Sequence, residues 1–255
     1  MTSLDQLQNP HLEGGPIHWK AGPVGILLFH GFGATTAEIR PLGAYLNSHG
    51  YSIAAPLLPG HGTSTLDINT RRWQEWLDAG ESAYQSIKND CETVFAAGES
   101  MGGLVAINLT AKHKQIAGLM LFAPALRIRY AWVRWVATIL SPFASTIRKP
   151  ASAASPGDDL WQGYKVYALQ AMKQLFSFQA YTRQQIPAVS QPVLIISGQN
   201  DRSVHPQVPD YLTKHVSSTL VELHLMEKSG HCVVLDAEKE AVFEICLDFI
   251  HRQVT

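Results

Sequence analysis

The chain has 255 residues, of which 46% are apolar and 16% charged, and its formal net charge is −1. Those totals exclude a disordered or fibrous chain and give no general electrostatic case for nucleic acid. The length suits a single domain over residues 1–255 with one large core.

In chain order, Met1 to Lys20 carries no apolar leader segment. Val24 to Phe29 then reads as a strand and Pro41 to about Ser48 as a helix, with proline at a first helical position. Ser52 to Leu58 is a second strand. Trp73, Trp76, Leu77, Gly80, Ala83, Tyr84 and Ile87 recur at helical spacing after it. Strands are expected at Thr93 to Ala97 and Ile116 to Phe122, separated by a helix that begins near Met101. The rhythm breaks between Leu126 and Gln191, where strand signals vanish and aromatic residues accumulate. It resumes with strands at Val193 to Ser197 and Leu220 to Met226 and helices from Gln207 and Ala237 onward. Alternating strands and helices mean a mostly parallel central sheet flanked by helices. The expected organisation is a core of residues 1–125 and 192–255 with an inserted, mainly helical cap at 126–191, and Pro150 to Gly157 a loop within it.

No run of about 18 apolar residues is present, so the expected location is cytoplasmic. Cys91, Cys232 and Cys246 show neither C-x-x-C nor a His/Cys ligand spacing, so neither a disulfide framework nor a metal site is expected.

Gly98-Glu99-Ser100-Met101-Gly102 is a G-x-S-x-G between a strand and a helix. That context suits a nucleophilic serine on a sharp turn, where side chains two residues away would collide. A serine hydroxyl needs a base to take its proton, and the base needs a carboxylate to hold its tautomer. Asp201 lies just beyond the strand Val193 to Ser197, at the sheet end where open α/β folds place their sites. Among the later histidines, His205 shares the loop of Asp201, His215 and His251 fall in helices, and His224 reads as a solvated strand residue. His231, in Ser229-Gly230-His231 after the last strand, is the expected base. The backbone N–H groups of Phe32 and Met101 are the expected oxyanion hole. His30 and His61 read as structural residues that order their loops.

These pieces make the chain resemble the bacterial monoacylglycerol lipase and carboxylesterase branch of the α/β-hydrolases. The resemblance is carried by His30-Gly31-Phe32, Arg40-Pro41-Leu42, Pro59-Gly60-His61-Gly62, the serine turn through Gly103, Gly198-Gln199-Asn200-Asp201, and Ser229-Gly230-His231 with Leu235-Asp236. It implies the α/β-hydrolase fold, no cofactor, and cleavage of medium- to long-chain acyl esters or monoglycerides through an acyl-serine. It also implies that Phe32 and the cap shape the acyl pocket. A thioesterase, a lysophospholipase and a carbon-carbon bond hydrolase are same-fold alternatives; a noncatalytic ligand-binding protein on the same scaffold is the alternative of another class. The sequence departs from the resemblance at Glu99, where these enzymes often carry an apolar residue.

Within the cap, Trp132, Val136 and Ile139 recur at helical spacing with Leu140 and Phe143, as an acyl wall or as ordinary core packing. Leu126 to Pro192 holds eight basic and two acidic residues, +6, against 12 basic and 19 acidic, −7, elsewhere. A basic, aromatic cap suits peripheral contact with an anionic lipid surface, and Arg127, Arg129 and Arg134 flank its apolar stretch. A solvated cap explains the same charges.

Overall fold

The computed structural model describes residues 7–149 and 157–254. The first half of the chain forms β1 (Leu7–Gln8), β2 (Ile17–Trp19), β3 (Val24–Phe29), α1 (Arg40–Ser48), β4 (Ser52–Ala55), α2 (Thr65–Thr70) and α3 (Trp73–Asp90). The nucleophile region follows as β5 (Thr93–Glu99), α4 (Met101–Lys112) and β6 (Gly118–Phe122). The inserted segment supplies α5 (Trp132–Leu140), β7 (Thr146–Arg148), β8 (Gly163–Tyr164), β9 (Val166–Ala168) and α6 (Leu169–Gln185). The chain finishes with β10 (Val193–Gly198), α7 (Val208–His215), β11 (Val221–Met226) and α8 (Lys239–Val254).

Seven strands form one sheet in the order β11-β10-β6-β5-β3-β4-β2, parallel throughout except that β2 runs antiparallel to β4. Alternate residues of a strand point to opposite faces, and here both faces are covered. Leu27 and Phe29 pack with Trp76, Leu104 and Val105 on one side, whereas Ile26 and Leu28 pack with Leu42, Val242 and Phe249 on the other. Each such side chain, fully removed from water, contributes about 1.5–3 kcal/mol. That double burial is why the strands appear in the sequence as continuous apolar runs.

Local chemistry sets the boundaries. β4 stops at Ala55, three residues short of the expected end, because Pro56 has no N–H for the ladder. β5 continues past Ala97 to Glu99 and delivers the chain directly into Ser100. Several short elements lie outside the expected set: β1, β2 at the sheet edge, β7, β8 and β9 in the insertion where no strand is expected, and α2, where Ser64 caps the helix by accepting the Asp67 N–H at 3.1 Å.

The segment between β6 and β10 combines helices with short strands. β7 pairs with β9, and β8 pairs with β1 at Leu7↔Tyr164, which ties the start of the described chain to the insertion. α6 buries Leu175 and Phe178 in the same core cluster as Leu104 and Leu109 of α4. α5 turns Ala137 and Val133 toward Leu169, Met172 and Phe176. Residues 150–156 of the expected loop Pro150 to Gly157 lie outside the described residues. No helix among the described residues is long and apolar enough to cross a membrane.

Candidate active site

The turn after β5 places Ser100 at φ 53°, ψ −111°, a strained backbone for any residue with a side chain. Its glycine neighbours are required by contact. A Cβ on Gly98 would sit 2.2 Å from the Gly102 carbonyl carbon, and one on Gly102 would sit 2.1 Å from the Phe29 oxygen. The strand and helix therefore close to a sharp elbow that leaves the serine at the N-terminus of α4, with its N–H donating to the Phe122 carbonyl at 2.8 Å.

His231 arrives on the loop between β11 and α8. Its Nε2 accepts the Ser100 hydroxyl at 2.9 Å, and its Nδ1–H donates to Asp201 Oδ2 at 2.9 Å. The other carboxylate oxygen of Asp201 accepts the backbone N–H of Ser203 at 2.6 Å and of Val204 at 3.0 Å, which locks the carboxylate in place. Asp236 does not reach the imidazole. It accepts the Gly230 N–H at 2.6 Å and the Ala237 N–H at 2.8 Å, and so braces the turn that presents His231.

Charge follows this geometry. Burial works against ionisation of Asp201, but the facing imidazole and three hydrogen bonds outweigh it and lower its pKa. Burial alone would lower the pKa of His231; the charge and hydrogen bond of Asp201, with the charge of Glu38, carry it above the ordinary value.

The loop after β3 comes up against the serine, and a Cβ on Gly31 would lie 3.3 Å from Ser100 Cβ. Two groups hold this loop. His30, wholly buried with its pKa lowered to about 4 by desolvation, is a neutral ring whose Nε2 accepts the Leu58 N–H at 3.1 Å and whose Nδ1–H donates to the Gly31 carbonyl at 2.9 Å. Glu38, also buried, accepts the Gly31 N–H at 2.5 Å on Oε2, and the Trp161 indole N–H at 3.0 Å on Oε1. Glu38 is absent from the sequence-derived site. Its one signal is a charged residue in the stretch Ala34 to Ile39 just before the Arg40-Pro41 helix start. The backbone N–H groups of Phe32 and Met101 make no hydrogen bond to another described residue, and both residues border the serine elbow.

Two further titratable side chains stand out, Glu99 beside the serine and the half-buried Lys149. Glu99 directly precedes the serine and is wholly buried, and among the described residues neither carboxyl oxygen has a partner in hydrogen-bond geometry. Burial, reinforced by the charges of Glu38 and Asp201, pushes its pKa well up, which favours the neutral acid. Lys149 stacks its ammonium 4.7 Å above the Trp161 ring and 5.5 Å above that of Tyr167, and desolvation lowers its pKa to about 8. Among the described residues no cluster of His, Cys, Asp and Glu has the geometry to hold a metal.

Phe32 packs with the apolar residues Leu169, Met172 and Phe176 on α6 of the insertion. The expected acyl-wall residues fall elsewhere on α5. Trp132 and Ile139 are 60% and 61% exposed, and Val136 is half-buried. The helix is rotated so that its smaller residues, Val133 and Ala137, face inward while the large ones face solvent, since α6 already fills the space beneath it.

Residues 24–238 match the Hydrolase_4 family model, described as serine aminopeptidase, S33. The chain is 30% identical over 252 residues to the thermostable monoacylglycerol lipase of Bacillus sp. (strain H-257), covering 96% of this chain and 98% of that one. It is 23% identical over 239 residues to a carboxylesterase of Bacillus subtilis (strain 168), covering 93% and 96% of the two chains. A solved structure from work on LipS and LipT, two metagenome-derived lipolytic enzymes, superposes with a TM-score of 0.88 at 27% identity, covering 94% of this chain and 98% of that one. A serine elbow, a His-Asp pair and the seven-stranded sheet thus coincide with a family match over most of the chain: it belongs to the Hydrolase_4 (serine aminopeptidase, S33) family and is a serine hydrolase of the α/β-hydrolase fold.

Proposed function

We propose that this chain hydrolyses carboxylic esters with medium to long acyl chains, monoacylglycerols among them, through an acyl intermediate on Ser100. His231 takes the serine proton as the hydroxyl attacks the ester carbonyl. It then gives that proton to the departing alcohol and activates water against the acyl-serine. Asp201 holds the imidazole in the required tautomer. The N–H groups of Phe32 and Met101 stabilise the oxyanion, each donor of this kind being worth about 3 kcal/mol of barrier. The chain's own groups supply every proton transfer, so the chemistry asks for no cofactor.

The line of 2.9 Å hydrogen bonds from Ser100 through His231 to Asp201, on a strained elbow, carries this assignment. The substrate class draws support from two sources. One is the similarity to a monoacylglycerol lipase along 96% of the chain. The other is the apolar cluster of Phe32, Leu169, Met172 and Phe176, against which an acyl chain gains about 0.8 kcal/mol per buried CH₂. We read the protein as one hydrolase domain with its core at 1–125 and 192–255 and the insertion 126–191 above it. A cytoplasmic location agrees with three cysteines that stand outside any disulfide.

The exposed face of α5 extends the proposal to lipid surfaces. Trp132, Trp135 and Ile139 of α5 and Phe143 just after it are exposed, as are Arg127 and Arg134, a combination of apolar anchors and basic heads suited to an anionic interface, whereas the half-buried Arg129 donates to the Asp201 carbonyl. A p-nitrophenyl ester series from acetate to palmitate, run beside release of glycerol from monoacylglycerols, tests the substrate class. Rising kcat/KM with chain length and turnover of monoacylglycerol are expected. Acetate as the best ester with no glycerol released would overturn it.

A further inference from the structure

A cavity of about 780 Å³ opens between α5, α6, α7 and the loop that follows β6. None of Ser100, Asp201, His231, Phe32 or Met101 lines it. Its walls are largely apolar, with Leu126, Phe176 and Val208 among them, yet three arginines, Arg127, Arg134 and Arg183, line the same space.

These charges are uncompensated. Among the described residues no carboxylate lies within ion-pairing distance of Arg127, Arg134 or Arg183. Arg183 gives one N–H to the Leu126 carbonyl at 2.7 Å, and the side chains of Arg127 and Arg134 donate to no described residue. Burial lowers the pKa of Arg183, and the positive charges of Arg134 and Arg127 lower it further while Tyr211 acts the other way. Solvent screens Arg127 and Arg134, which are exposed, so their mutual repulsion is small, and all three guanidinium groups keep N–H donors free for charge-assisted, bidentate hydrogen bonds to an anion.

We propose that this cavity is a second ligand site for an amphipathic anion, with a carboxylate or phosphate head on Arg127, Arg134 and Arg183 and a hydrocarbon tail along Leu126, Phe176 and Val208. The volume falls in the range of small-molecule sites. The site is also joined to the triad. Arg129 N–H donates to the Ser203 carbonyl at 2.8 Å, His205 N–H donates to the Arg127 carbonyl at 2.9 Å, and the Arg129 guanidinium donates to the Asp201 carbonyl at 2.8 Å. The segment that carries Arg127 is thus hydrogen-bonded directly to the loop that carries Asp201.

The test is equilibrium binding by calorimetry to Ser100→Ala protein, which needs no ester cleavage; because a decyl chain also fits the proposed acyl site, the arginine substitutions, which lie outside that site, distinguish the two. The probes are decyl phosphate, decanoate, 1-decanol and inorganic phosphate. At least one of the two anionic amphiphiles binds at least tenfold more tightly than 1-decanol and than inorganic phosphate, and the preferred head identifies the ligand's source. The paired substitution Arg127→Gln with Arg134→Gln, at two exposed side chains, costs that amphiphile at least tenfold in affinity and leaves the melting temperature unchanged. Arg183→Gln, which also loses the bond to Leu126, gives the same loss as a second variant. Equal binding of 1-decanol, equal binding of inorganic phosphate, or undiminished anion affinity in the paired variant would each overturn the assignment.

Discussion

Glu38 Oε2 accepts the Gly31 N–H at 2.5 Å, so a buried carboxylate underpins the loop that brings Gly31 against Ser100 and continues into Phe32, the proposed oxyanion donor. Glutamine at this position keeps one acceptor oxygen where the carboxylate has two, and must abandon either Gly31 or the Trp161 indole. Glu38→Gln should lower kcat about tenfold with KM for a short ester little changed, as expected when a transition-state donor is misplaced. The charge of Glu38 also raises the pKa of His231, so the acid limb of the pH profile should move to lower pH. A normal kcat with an unmoved acid limb would leave Glu38 a structural residue alone.

The imidazole must be neutral to accept the serine proton, and its pKa is raised above 6.5. Activity should therefore fall as pH drops through a midpoint above 6.5, measured as kcat/KM against pH. Asp201→Asn removes the charge that raises this pKa and favours the wrong tautomer. The acid limb should shift down while turnover drops by roughly 10⁴.

Glu99 carries the opposite linkage. Its native pKa lies well above the ordinary 4.5, so the folded state holds a proton that the unfolded chain releases, and stability declines as pH rises from about 4.5 toward the native value. Glu99→Gln keeps the shape and deletes the titration. Its Tm should exceed that of the parent at pH 8, by roughly 2–4 °C for each kcal/mol relieved, and the gain should vanish below pH 4.5. Thermal melts at pH 4, 6 and 8 check this.

Phe143, 86% exposed at the end of the α5 stripe, touches neither the triad nor the arginine cavity. Phe143→Ser should weaken sedimentation with anionic vesicles several-fold and reduce turnover of vesicle-borne ester. Hydrolysis of a water-soluble acetate ester should stay within about twofold. Equal, salt-insensitive binding of the parent protein to neutral and anionic vesicles would remove the interfacial reading.

Much of the site is legible in the sequence because short motifs impose its geometry. Gly98 and Gly102 record a backbone contact that excludes Cβ atoms, Asp201 follows the wholly buried apolar run of β10, and His231 follows β11, an edge strand whose Val221 and Leu223 alternate with Glu222 and His224. The orientation of α5 is less so. Periodicity identifies the apolar stripe of Trp132, Val136 and Ile139 but not the direction it faces, which is decided by Leu169, Met172 and Phe176 packing on the opposite side. Glu38 escapes for a related reason: its partners Gly31 and Trp161 lie 7 and 123 residues away, and no local pattern links them. The arginine cavity shows in the sequence only as an excess of positive charge, because Arg127, Arg134 and Arg183 converge through tertiary packing.

The central claim is that Ser100 is the nucleophile, and covalent labelling tests it most directly. A fluorophosphonate probe should modify the native protein once, with the adduct mapped by peptide mass spectrometry to Ser100, and labelling should disappear in Ser100→Ala. That variant should fold normally and lose on the order of 10⁶ in turnover of a p-nitrophenyl ester. An adduct on another residue, or near-parental ester cleavage by Ser100→Ala, would contradict the account.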